Sequence, residues 1–454
     1  MLQFLQTNKI IVLSLSLLFF SYLSAQKNKK ADPKQPPFGI VEKADLEMKQ
    51  CSFDDNAEAM VLLDDGVLEY VFGRGMEMSR RVRIKILNSK GLEWANVHLS
   101  YRSEFNAQDI MGLEAQTYNL DAGGNMVITK LERKLIYEKK LNKKFTEKVF
   151  TFPEVKVGSI IEYRFRHSGI GLIDWYFQRS IPVRYSHFTI DFPSEIEVAT
   201  TPFCSRPYQS NTQSKAARVV KNYSLSDEPA FRNEPNIINE AFYRDRLETK
   251  VTAYSINGRR INRNTNWPQV IKFLIEDADF GLQIKKNIPR TTALDEKLKN
   301  ITAPYERMKI IYKYVQEEMV WNDYAGIWAL DGVRSAWKDK KGTVGEINLI
   351  LVNLLKDAGL NAHPVLVSSH DHGIVNPADA GTIDYPGFYQ FNKAMAYIEI
   401  NGTVYVLDAT QKNTPVHLLP SDILLTEGLV IEKFETSEWG WKHFGKADSQ
   451  QRTY

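Results

Sequence analysis

The hydrophobic period of this chain changes once, and that change limits what it can fold into. From about Leu46 to Ile196 the apolar residues recur every second position, and after Asn266-Trp267-Pro268 they recur every third or fourth. Arg81-Val82-Arg83-Ile84-Lys85-Ile86 alternates charged and apolar residues without a break. That pattern makes a strand with one buried face. Asn88-Ser89-Lys90-Gly91 and Asp121-Ala122-Gly123-Gly124-Asn125 are turn signals, and Ser159-Ile160-Ile161-Glu162-Tyr163-Arg164-Phe165 opens another strand after Gly158. Strands at this spacing predict an antiparallel β-sandwich over 46–204. Ser205 to Ala216 is polar and reads as a loop, and 205–262 as a linker with further strands that complete or bridge the β part.

The second period predicts an α+β unit over 263–433. Met308, Ile311, Tyr312, Val315 and Met319 fall on one face of a helix whose first turn accepts Pro304, with Thr302 as a candidate cap. A second helix starts near Val344 or Gly345, buries Ile347, Leu351, Leu354, Leu355 and Ala358, and stops at Gly359, a residue suited to a left-handed helix end. An apolar strand follows over His363–Ser368, then a long loop from Ser369 to Tyr389. Strands Ala394–Ile400 and Thr403–Asp408 flank an Asn401-Gly402 turn. The remainder, 434–454, reads as a tail.

A length of 454 residues implies two or three domains. The net charge of +3 and the lack of a basic stripe argue against nucleic acid as a partner. Lys9, the apolar run Ile10–Phe20 and the small-residue exit at Ala25 read as a signal peptide over 1–25, with a flexible proline-rich leader over 26–45. The expected location is therefore periplasmic or secreted, with no transmembrane segment in the mature chain. An oxidising compartment permits a disulfide between Cys51 and Cys204, the only cysteines, although sequence leaves their distance open.

Phe152-Pro153-Glu154-Val155-Lys156-Val157-Gly158-Ser159-Ile160-Ile161-Glu162-Tyr163, with Trp175-Tyr176-Phe177-Gln178, resembles the N-terminal β domain of unknown function that precedes transglutaminase-like domains in exported bacterial proteins. Lys341-Gly342-x-x-x-Glu346 before a helix, and Leu407-Asp408-Ala409-Thr410 after the last strand, resemble the transglutaminase-like, papain-related core itself. That resemblance implies a cysteine nucleophile at the helix N-terminus, activated by the helix dipole and a histidine that an aspartate orients. Gly342 lies 17 residues before Gly359, the family's separation, which puts the cysteine position on Val344. The Phe-Asn-His position of the strand motif falls on Lys393, and Asp408 matches the aspartate.

Valine has no nucleophilic atom, and a lysine beside an aspartate forms an ion pair at neutral pH. The expectation is a protein that has lost catalysis and acts in binding or envelope assembly, with a peptide or envelope protein as partner and no cofactor or metal. The alternative is an amidase, protease or acyl-transferase with a substitute nucleophile such as Thr343. His370-Asp371-His372 supplies too few ligands for a defined metal site, and His417 reads as structural. The relatives commonly continue into a further C-terminal β region, so a short form or a separated C-terminal part is expected here.

Overall fold

A computed structural model of the chain describes residues 34–234, 240–263, 266–372, 386–433 and 438–445. The expected signal peptide and the first part of the leader lie outside these residues. None of the described helices is long and apolar enough to cross a membrane.

The chain is β-rich and built from several sheets. The largest has eight strands, in spatial order Gln209–Lys215, Arg218–Glu228, Val183–Pro193, Ala59–Val71, Gly75–Ile86, Ile160–Ser168, Asp109–Leu120 and Met126–Lys130. Its pairings are antiparallel except one, since Ala59–Val71 runs parallel to Val183–Pro193. The sheet is therefore not wholly antiparallel as expected. Ser205–Ala216 also differs from its reading as a loop, because Gln209–Lys215 forms the edge strand. All seven of its residues are exposed, so it never needed the apolar alternation that marks a half-buried strand.

One face of the large sheet packs against two smaller sheets. Val82 and Ile84 meet Val97 and Phe150 from a three-stranded sheet and the adjoining Phe152, while Met78 and Phe188 meet Val198 and Leu247 from a four-stranded one. The other face of Gly75–Ile86 carries Arg83 and Lys85, almost wholly buried beneath the segment that precedes the first strand. Arg83 bonds Glu162 twice, at 3.1 and 2.8 Å, and Glu162 also accepts from Tyr118 and from the Gly39 amide. The Lys85 ammonium donates to the carbonyls of Leu46 and Gly158. Charged residues in an alternating strand thus mark a buried polar face here, where the sequence pattern alone suggested a wet one.

Cys51 and Cys204 are free thiols. Cys51 packs with Leu46, Met60 and Tyr118, and Cys204 against a separate cluster around Trp175 and Phe188, so each fills apolar space and the disulfide is not formed.

The helix–sheet unit is organised around the helix Val344–Asp357. Every residue from Val344 to Leu355 is buried, not one face only, because other helices cover one side and a five-stranded antiparallel sheet the other. The sheet order is Thr403–Leu407, Lys393–Ile400, Ala362–Val367, Thr426–Lys433 and Glu438–Phe444. The last strand falls within the expected tail, and Trp439 and Trp441 pack on the core. Asn401 and Gly402 both have positive φ, the conformation a tight two-residue hairpin turn needs. Gly359 has φ +80° just past the helix. The helix Pro304–Glu318 begins after Ala303, so Thr302 is not its cap.

The two units meet through a turn of the β unit. The Lys143 amide donates to Asp331 Oδ1 at 3.2 Å, its ammonium donates to the Asp331 carbonyl at 2.6 Å, and Lys144 pairs with Asp279.

Candidate functional site

Val344, Lys393 and Asp408 come from the elements the sequence predicts. Val344 is the first residue of the buried helix, Lys393 opens one strand, and Asp408 directly follows the next. Lys393 and Asp408 are in contact: the ammonium lies 3.3 Å from Asp408 Oδ2. It lies nearer still to Asp422 Oδ2, at 2.5 Å. Burial alone would lower the pKa of this lysine, but the Asp408 and Asp422 carboxylates outweigh burial and hold it above the ordinary value. Lys393 is therefore a fixed cation at neutral pH, and it has no lone pair with which to take a proton.

Asp408 is wholly buried and its acceptors are used. Oδ1 receives Asn348 Nδ2 at 3.0 Å, the Thr410 amide at 3.0 Å and the Thr410 hydroxyl at 2.6 Å, while Oδ2 faces Lys393. Asn348 also donates to the Ala394 carbonyl and accepts from the Ala409 amide, so one side chain ties the helix to both strands. Tyr312 OH donates to the Asp408 carbonyl at 3.2 Å. Gln411 Nε2 donates to Asp422 Oδ1 at 3.0 Å, which fixes the second carboxylate.

The helix N-terminus is closed by the protein itself. Thr343 and Glu346 form a reciprocal capping box: the Glu346 amide donates to Thr343 Oγ1, and the Thr343 amide donates to Glu346 Oε2. The Val344 amide donates to the Tyr324 carbonyl at 3.2 Å. The second Glu346 oxygen accepts from the Asp331 amide. A Cβ on Gly345 would lie 2.7 Å from the Ile327 carbonyl, so only glycine allows the 327–328 backbone this close. Val344 has no exposed surface and Thr343 retains 2%. The amides of Thr343, Val344 and Glu346 are thus spent on internal bonds.

Thr343, the expected substitute nucleophile, is tied to the backbone. Its hydroxyl donates to the Trp328 carbonyl at 3.1 Å and accepts from Glu346, so its bonds go to backbone and not to Lys393 or another base. His370 contacts the Leu424 carbonyl through Nε2, and His372 contacts Ser368 through Nδ1. No cluster of three candidate metal ligands occurs among the described residues. His417 is exposed.

Sequence reasoning missed Asn348 and Asp422. Asn348 could have been found, since it lies one helical turn after Val344 and so shares its face. Asp422 sits in a short 3-10 turn, Ser421–Ile423, far along the chain from any motif, and only the fold brings it to Lys393.

Residues 75–232 match a family model described as a domain of unknown function with solved structure (DUF3857). That range lies in the β unit and includes the Phe152–Tyr163 segment. No functionally curated protein matches the chain. Among solved structures, a "putative protease" from Parabacteroides distasonis superposes with a TM-score of 0.54 at 14% identity, over 82% of this chain and 70% of that one. At that identity the likeness is one of fold alone. A TGase (TM-score 0.19, 11% identity, 52% of this chain and 54% of that one) and an M1 zinc metallopeptidase from Deinococcus radiodurans (0.22, 6%, 66% and 63%) superpose too loosely to bear on either fold or chemistry.

Proposed function

We propose that this chain is a non-catalytic, exported protein of transglutaminase-like, papain-related build that acts in binding or envelope assembly, with a peptide or envelope protein as partner. The observation that carries the reading is the Lys393 ammonium, held between Asp408 and Asp422 where the resembled family keeps its histidine. A protonated lysine saturated by two carboxylates is a structural cross-link. It replaces the proton carrier, and the buried Val344 replaces the nucleophile. Closure of the helix N-terminus supports a further point. The former cleft serves as packed core, so binding falls to other surfaces of the molecule.

The test is an assay of purified protein for hydrolysis of peptide amides and for glutamine–amine cross-linking. The expected result is turnover no higher than buffer, unchanged in K393A. Turnover that disappears in T343A, K393A or D408N would overturn the reading. Cell fractionation checks the export part, with the protein expected outside the cytoplasm.

A further inference from the structure

An open groove of about 650 Å³ lies on the helix–sheet unit between residues 287–291 and the helix Val333–Asp339. Its charged lining consists of Arg290, Arg334, Lys338 and Lys340, with no carboxylate among the lining residues. Its volume falls in the range of small-molecule sites.

The groove is built and not a gap left by mobile side chains. Trp337, buried, donates its indole N–H to the Pro289 carbonyl at 3.1 Å, and Arg334 Nε donates to the Asn287 carbonyl at 3.1 Å. Both bonds hold the 287–289 segment at a fixed distance from the helix. Lys340 sits at the helix end with φ 54°, a left-handed position where glycine is the relaxed choice, and its ammonium lies 3.7 Å from the centre of the Trp337 ring. The ring thus fixes one cation against the groove wall.

The charges are only partly compensated. Arg290 pairs with Asp295 and Asp357, and Lys340 with Glu318. Among the described residues Lys338 is exposed with no ion pair or hydrogen bond, and Arg334 is exposed with a bond from Nε alone. Helix electrostatics account for Lys338 and Lys340, near the negative end of the helix. They do not account for Arg334, in the first turn, where a cation opposes the dipole. Arg334 and Lys338 are also four residues apart on one helix, a spacing at which like charges repel.

We infer that this groove is a binding site for a phosphate-bearing anion, with Arg334 and Lys338 as its principal contacts. Two uncompensated cations match a dianion, and the free edge of the Arg334 guanidinium suits the paired oxygens of a phosphate. The ligand chemistry has two sources, a soluble phosphorylated molecule or a phospholipid headgroup.

The experiment has two arms, both with the whole protein. Inorganic pyrophosphate is titrated calorimetrically at low and high salt, and co-sedimentation is measured with phosphatidylglycerol-containing and pure phosphatidylcholine vesicles. Wild type should bind pyrophosphate, more weakly at high salt. K338Q and R334Q should each lose about tenfold in affinity, equivalent to 1.4 kcal/mol. K313Q, on another helix, should bind as wild type does. Sedimentation with the anionic vesicles alone, lost in the same variants, would identify the headgroup as the source; pyrophosphate binding without it would identify a soluble ligand. K338Q breaks no ion pair or hydrogen bond among the described residues and should leave the thermal midpoint nearly unchanged, which separates lost binding from lost folding. Absence of binding in both arms, or equal binding by wild type, K338Q and R334Q, would overturn the assignment.

Discussion

Two lysines largely withdrawn from solvent, one buried and one half-buried, have opposite chemistry. Lys85, in the large sheet, has no exposed surface and bonds two carbonyls, and among the described residues it forms no ion pair. Burial pushes its pKa down to about 8. Lys393, in the helix–sheet unit, has two carboxylates and is pushed up despite its burial. A base needs a lysine lowered toward neutrality. That lysine is Lys85, sealed beneath Leu46, whereas Lys393, between two carboxylates, is held in its charged form. Burial of an ionisable group therefore says little about function here, and what surrounds the group decides.

The largest way to break the contrast is to remove the carboxylate that makes Lys393 a structural cation. D408A leaves the lysine with Asp422 alone and strips acceptors from Asn348 and Thr410, so it should cost about 3 kcal/mol in urea unfolding. A loss under about 0.5 kcal/mol would place the pair among weak surface salt bridges.

Next is the pH dependence, where the two lysines have opposite signs. Between about pH 8 and the ordinary lysine value of about 10.4, Lys85 is charged when unfolded and neutral when folded. Stability rises with pH through that window. Lys393 has its folded pKa above the ordinary value, so its contribution is complete below about pH 10.4 and is lost as pH rises through the folded pKa. Stability curves against pH should lose the rise in K85M and the alkaline fall in K393M. Loss of the rise in K393M would show the two assignments to be exchanged.

The smallest effect concerns the cap. T343A removes one half of the capping box and the bond to Trp328, and should lower stability by about 1 kcal/mol.

Much of this site was legible in the sequence because it rests on local rules. Gly359 ends the helix, Asn401-Gly402 makes the hairpin turn, and these two punctuations fix where Val344, Lys393 and Asp408 fall. The Lys393–Asp408 contact follows from that register. The second carboxylate did not follow, because Asp422 reaches Lys393 through tertiary folding and belongs to no periodic element. The same limit applies to the β unit. Alternation in Arg81–Ile86 gave a strand, but which face is wet depends on residues 36–48 folding over it. Gln209–Lys215 was invisible because an exposed edge strand pairs through its backbone and carries no apolar signature. The capping box, by contrast, stood in Thr343 and Glu346 from the start. It marks a helix end already satisfied.

The helix N-terminus is closed by its capping box and by the burial of Val344. Val344 reports on it directly. In V344C, labelling by a thiol reagent, localised by peptide mass spectrometry to separate it from Cys51 and Cys204, should be absent in the folded protein and appear only with global unfolding. Labelling at position 344 under native conditions, at a rate near that of a free cysteine, would contradict the account and reopen the cleft as a site.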